Sequence, residues 1–137
     1  MMTVMDLKSA LNVAASGSHG EQARVSADLL ARVSGVGAAA ATAGAASVTA
    51  LTGKVTTEAL TTAQNAVYTL TITNPRIAAG DVVLVSLANG TNTQGTPVPV
   101  RVTPGAGSVA VVVKNIHHAA EALNGTLVVS FHVIKAA

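Results

Sequence analysis

The side chains with the most ligand character stand close together near the end of the chain. The run HHAAE occupies residues 117–121, and a further histidine, His132, follows it. Imidazole nitrogens and carboxylate oxygens are common zinc ligands, but the H-E-x-x-H spacing of a helical zinc site is missing here. We therefore expect an exposed turn at 117–121, no bound metal and no cofactor.

The other reactive side chains are too scattered to indicate catalysis. The chain has 6 acidic residues and no cysteine, and no two acids form a recognisable catalytic or metal-binding motif. No G-x-S-x-G sequence provides a nucleophile. The glycine pairs at 35–37 and 105–107 lack the Lys-Ser/Thr of a phosphate-binding loop, so they predict turns. We expect a protein that is not an enzyme.

A polar, uncharged segment, NGTNTQGT at 89–96, is long for a hairpin loop. Its amide and hydroxyl groups could bind a sugar or a neighbouring protein, although a solvated loop tip is the more common role for such a segment. Sugar sites usually offer an aromatic platform. The chain has 1 Tyr and 1 Phe, and both fall in the apolar half of an alternating pattern.

Composition and charge restrict the possible partners. Hydrophobic residues make up 50% of the 137 residues, and the net charge is +2. The 8 basic residues are spread singly along the chain, whereas phosphate binding needs them clustered, so we expect no nucleic-acid partner. No apolar run is long enough to span a membrane, and the first residues do not resemble a signal peptide. We expect synthesis in a cytoplasm and no membrane partner.

The chain divides by pattern near residue 46. Residues 1–46 are rich in Ala, Ser and Gly, and predict an N-terminal arm with short helices at 3–15 and 18–33. Residues 35–46 predict a flexible connector of small residues. Helices of this length are unstable alone in water, so each needs a surface on which to pack.

Residues 47–137 predict a β domain. From Val67, apolar residues alternate with threonine through Thr73, as expected for a strand with one buried face. Further strands are predicted at 81–88, 98–103, 108–116 and 126–134, with weaker ones at 48–53 and 54–60. Turn residues separate them, so we expect an antiparallel β-sandwich of about seven or eight strands.

Two of these strands are apolar on both faces. They are the runs 82–85 and 109–113, which consist of Val, Leu and Ala. An antiparallel sheet usually exposes one polar face to water, so we expect the second apolar face of each run to be covered by another part of the chain or by a partner. The arm could provide that cover within the molecule, or the apolar surface could be a protein–protein interface.

The β region resembles the head decoration, or cement, proteins of tailed double-stranded-DNA bacteriophages. The resemblance covers roughly residues 47–137 and lies in the order of strands and turns. The segments concerned are GKVTTEALTTA at 53–63, YTLTITN at 68–74, VLVSLANGTN at 83–92, RVTPGAGSV at 101–109 and ALNGTL at 122–127.

This resemblance implies a jelly-roll-like sandwich on the outer surface of an HK97-type capsid. Many copies would contact the major capsid protein and one another, as dimers or trimers, and bridge neighbouring capsid subunits. Several weak contacts made together would then give firm binding to the assembled shell. The interface residues that we predict are apolar and lie mostly in the arm: Leu7, Leu11, Val25, Leu29, Val33 and Val112.

Two other functions remain open from the sequence. A similar order of strands and turns occurs in phage tail-fibre and spike modules, so a receptor-binding or carbohydrate-binding module is the main alternative. A small hydrolase is a weaker one, because no nucleophile and base are recognisable in the sequence.

Overall fold

A computed structural model describes residues 36–136 as eight β-strands. The helices and the five interface residues predicted in the arm lie outside the described residues. The strands are β1 (Gly37–Ala40), β2 (Ala45–Ser47), β3 (Thr52–Thr56), β4 (Val67–Thr73), β5 (Val82–Asn89), β6 (Pro97–Gly105), β7 (Ser108–Asn115) and β8 (Leu127–Ile134).

The strands form two four-stranded sheets. The first sheet has the order β1-β3-β8-β5, and the second has the order β2-β4-β7-β6. All neighbours are antiparallel except two: β1 runs parallel to β3, and β2 runs parallel to β4. The expectation of a mainly β sandwich is therefore confirmed, with mixed rather than purely antiparallel sheets. The consecutive strands β3 and β4 belong to different sheets, since β3 pairs with β8 and β4 pairs with β7. The chain therefore crosses from one sheet to the other between them.

Residues 37–47 correct the prediction of a flexible connector. They form β1 and β2, two short edge strands of the sandwich. Alanine and glycine have low strand propensity, but the parallel pairing with β3 and β4 supplies their backbone partners and overrides it. The sandwich therefore begins about ten residues earlier than the composition shift indicates.

Alternation of side chains places one face of each sheet in the core. In β4, Leu70 and Ile72 are fully buried, while the threonines between them are exposed. β7 buries Val109, Val111 and Val113 in the same way, and β8 buries alternate residues from Leu127 to Val133. Two-residue periodicity therefore locates the core in these strands, because successive side chains of a strand point to opposite faces.

A glycine is needed where the core contains its one phenylalanine. Gly53 in β3 is paired with Phe131 in β8. A Cβ atom built on Gly53 would lie 2.8 Å from Phe131 Cε1. The aromatic ring therefore occupies the space that a side chain would take, and it covers the backbone of β3.

Two buried asparagines bind the loops at opposite ends of the sheets. Asn115 ends β7, and its Nδ2 donates to the carbonyl oxygens of Thr62 and Glu121 at 3.1 and 2.8 Å. Its Oδ1 accepts from the backbone N–H of Thr96 at 3.0 Å. Asn74 follows β4, and its Nδ2 donates to the carbonyl oxygen of Ala50 at 2.8 Å. Each amide has its polar atoms satisfied, as a buried polar group requires.

Candidate interaction surface

The outer face of the first sheet carries large apolar side chains in contact with solvent. β5 presents Val82 and Leu84, which are 51% and 55% exposed, and β8 presents Ile134, which is 45% exposed. Val82 lies opposite Ile134 in the strand register, and Ala88 lies opposite Val128. We call these five residues the apolar face.

Small and polar side chains continue this surface towards the other edge of the sheet. They are Ser86 on β5, His132 and Ser130 on β8, Thr52, Lys54 and Thr56 on β3, and Ala38 and Ala40 on β1. Lys54 is the one charged side chain among these outward-facing residues of the four strands. His132 Nδ1 lies 2.7 Å from Thr52 Oγ1, which ties β8 to β3 on the solvent side.

An open depression of about 370 Å³ lies on this side of the sheet. Leu84 of β5 forms one wall, and Val36, where the described part of the chain begins, forms another. The remaining lining residues come from all three neighbouring strands: Thr52, Gly53, Lys54, Val85, Ser86, Ser130, Phe131 and His132. The depression is open to solvent and shallow, unlike the enclosed clefts that usually bind small molecules.

The outer face of the second sheet is different in character. Thr69, Thr71 and Thr73 of β4 are exposed on it, and we call this the threonine face. Arg101 and Lys114 add two positive charges on β6 and β7. Three exposed apolar residues also belong to this side of the molecule: Val67 at the start of β4, Val100 at the register shift of β6, and Ile116 directly after β7.

Val112, the one predicted interface residue among the described residues, lies on this second outer face. It is half-buried between Thr69 of β4 and Arg101 of β6. β7 is a central strand, so its neighbours cover part of its outer surface, and Ala110 is small. The apolar run 109–113 therefore needs little additional cover, whereas the run 82–85 on an edge strand leaves large side chains exposed.

Of the histidines and acids considered as metal ligands, His117 and Glu121 lie close together, whereas His132 lies elsewhere. His117 Nε2 lies 3.6 Å from Glu121 Oε2, and His117 Nδ1 lies 2.9 Å from Thr96 Oγ1. His132 belongs to the first sheet. Within residues 36–136, no group of three or more His, Cys, Asp or Glu side chains could hold a metal ion. Residues 117–121 form an irregular loop segment, which agrees with the expected turn.

A hydrogen-bonded tyrosine and glutamate fix the turn between β1 and β2. Tyr68 Oη donates to Glu58 Oε2 at 2.8 Å, and Glu58 Oε1 accepts from the Gly44 N–H at 2.8 Å. Burial, with the neighbouring carboxylate, raises the pKa of Tyr68 far above its ordinary value. The protonated phenol donates this hydrogen bond, and the contact holds the turn at Ala43 and Gly44, both of which have positive φ.

The polar loop at 89–96 uses its side chains within the protein. Asn92 is buried; its Nδ2 donates to Asn89 Oδ1, and its Oδ1 accepts from the Asn124 N–H at 2.9 Å. Glu121 Oε1 accepts from the Gly95 N–H at 2.7 Å. Since its central amide is committed to the 121–126 segment, the loop is a structural connection between β5 and β6 rather than a set of free polar groups.

An ion pair closes the end of the apolar face. Lys135, after β8, donates to Asp81 Oδ2, directly before β5. The Asp81 carboxylate also accepts from the N–H groups of Ala78 and Ala136 at 2.8 and 3.1 Å. The hydrogen bond from Lys135, followed by those from the backbone, lowers the pKa of Asp81 from 3.8 to about 2. The start of β5 is thereby fixed to the end of β8.

The chain gives no match to protein-family models, to curated protein sequences or to solved structures. Over residues 36–136, the structure contains no helix long and apolar enough to cross a membrane.

Proposed function

We propose that this protein is a structural protein of a phage virion, which binds the outer surface of an assembled capsid and bridges neighbouring copies of the major capsid protein. The observation that supports this most directly is the apolar face. A small domain that exposes Val82, Leu84 and Ile134 side by side gains stability when a partner covers them.

The low chemical reactivity of the described residues suits a structural role. The ionisable clusters are bound internally: Glu58 holds a turn, Asp81 holds Lys135, and Glu121 holds a loop amide. A protein that stabilises a shell needs contact area and a repeating partner, not a reactive group. Mass action then favours the bound, folded protein at every site on the lattice.

The test is co-sedimentation of the purified full-length protein with expanded capsids that lack it. We expect saturable binding at a fixed ratio to the major capsid protein, together with a higher temperature of capsid rupture. Failure of the folded protein to bind the shell at any concentration would contradict the proposal, and glycan-array binding in its place would support a receptor-binding module.

A matched pair of variants locates the contact. Leu84→Lys places a charge in the centre of the apolar face, and Thr69→Lys places the same charge on the threonine face. We expect the first variant to weaken capsid binding by at least about tenfold, since burying an unpaired ammonium costs more than 1.4 kcal/mol. We expect the second to bind like the unmodified protein. Equal binding by both variants would exclude the apolar face as the contact.

A further inference from the structure

We propose that two copies of this chain pair through the outer edge of β5, in an antiparallel arrangement that joins their first sheets into one eight-stranded sheet. This inference goes beyond capsid binding, because it concerns the free protein. It rests on the contrast between β5 and the other strand edges of the sandwich.

Three of the four sheet edges are poorly suited to pairing with another chain. β1 and β2 are 4 and 3 residues long. β6 contains Pro97, Pro99 and Pro104, the charged Arg101, and a register shift between Pro99 and Arg101. Short length, proline, charge and bulges are the devices by which proteins block edge-to-edge association.

β5 carries none of these devices. It is 8 residues long, contains neither proline nor a charged residue, and pairs with β8 in an unbroken register. Among residues 36–136, no strand pairs with its other side. A long, regular and uncharged edge of this kind is a template for strand addition.

The hydrogen-bond pattern shows which groups a second strand would meet. The Gly90 N–H donates to the Thr126 carbonyl at 2.9 Å, which continues the β5–β8 register. Since hydrogen-bonded and non-hydrogen-bonded pairs alternate, Leu84 and Ser86 direct their backbone groups towards β8. Val83, Val85 and Leu87 therefore direct their N–H and C=O groups towards the open edge.

A second copy suits this edge because β5 complements itself. An antiparallel pair centred on Ser86 places Ser86 opposite Ser86 of the other copy, and Leu84 opposite its Ala88. Polar then meets polar and apolar meets apolar, and no like charges face each other across the two-fold axis. The same pairing on β6 would bring the two Arg101 side chains close together. The apolar faces of the two copies would also become continuous.

The first experiment is a disulfide test with Ser86→Cys, in a chain that has no other cysteine. Ser86 would form a non-hydrogen-bonded pair with its counterpart, with Cα atoms roughly 4.5 Å apart, which a disulfide spans. We expect oxidation to give a covalent dimer at least about tenfold faster than for Thr69→Cys on the threonine face, because pairing raises the effective thiol concentration. Circular dichroism would verify that both variants are folded.

A second measurement uses the unmodified full chain. We expect sedimentation equilibrium to show a dimer, and amide exchange at Val83, Val85 and Leu87 to become faster on dilution. A monomer at every concentration, or a Ser86→Cys dimerisation rate equal to that of Thr69→Cys, would overturn the proposal. So would a monomer whose three amides are protected, since another segment of the same chain would then cover the edge. None of these measurements involves capsids, so failure here is distinct from failure of capsid binding.

Discussion

β5 and β6 lie next to each other across the sandwich, one at the edge of each sheet, and they meet solvent in different ways. β5 exposes Val82 and Leu84 beside a regular backbone edge, whereas β6 exposes Val100 and Arg101 among prolines, where its register with β7 shifts. The same contrast extends over the sheets, with an apolar face on one and a threonine face on the other. Burial of the inner faces explains the fold, and the difference between the outer faces is what supports the apolar face as the proposed contact.

The largest effects should come from the inner faces, where the two sheets are alike. Phe131→Ala in the first sheet and Leu70→Ala in the second should each lower the free energy of unfolding by about 3 kcal/mol, since both remove a buried side chain and leave a cavity. Urea denaturation monitored by circular dichroism measures this. A loss below 1 kcal/mol in either sheet would show that the two inner faces are not equivalent.

A smaller effect should follow from filling the space beneath Phe131. Gly53→Ala should lower the free energy of unfolding by roughly 1–3 kcal/mol, because the new Cβ would overlap the ring. Gly80→Ala is the matched control, since a Cβ there meets no atom within 4 Å. Thermal denaturation of both variants makes the comparison; equal melting temperatures would mean that β3 shifts freely away from the ring.

The ion pair of Asp81 in the first sheet should make the stability of the protein depend on pH in acid. Folding lowers the pKa of Asp81 from 3.8 to about 2, so its stabilising contribution is complete above pH 4 and is lost as the pH falls towards 2. Asp81→Asn should lower the melting temperature at pH 7 and flatten its dependence on pH between 4 and 2. If the variant retains the dependence of the unmodified protein, other carboxylates cause it.

The smallest effect on folding should come from the outer faces themselves. Leu84→Ser and Thr71→Ser should each change the free energy of unfolding of the isolated monomer by no more than about 0.5 kcal/mol, because both side chains are exposed. Chemical denaturation at low protein concentration tests this. A large loss for Leu84→Ser would mean that its side chain is already covered within the monomer, which would remove it from the proposed interface.

Strand periodicity predicts much of the sandwich, because the alternation of apolar and polar residues that creates a buried face is visible at adjacent positions of the sequence. β4 is predicted at its observed bounds, and β5, β7 and β8 to within a residue at either end. In place of the two weaker strands predicted at 48–53 and 54–60, the structure has one shorter strand, β3 (Thr52–Thr56). The prediction divided the segment at Gly53 because a glycine interrupts the pattern of apolar residues. In the structure Gly53 lies within β3, and the ring of Phe131 from β8 fills the space beside it.

The candidate surface was predicted only in part. The sequence indicates that the runs 82–85 and 109–113 are apolar on both faces, but it does not distinguish them. Sheet order makes that distinction: β7 is central and partly covered by its neighbours, whereas β5 is at an edge. The five predicted arm residues lie outside the described residues and stay predictions, as does Val112, which the structure places on the second sheet.

The sequence by itself determined the fold class, most of the strands and the buried side chains, since these depend on the period-two pattern and on turn residues. Tertiary structure decided which strands are neighbours and which edges stay open. It also turned the Ala-rich segment at 37–47 into two strands through parallel pairing. The physical reason is that backbone pairing joins residues far apart in the chain, such as Val82 and Ile134. The composition around one strand does not determine which distant strand pairs with it.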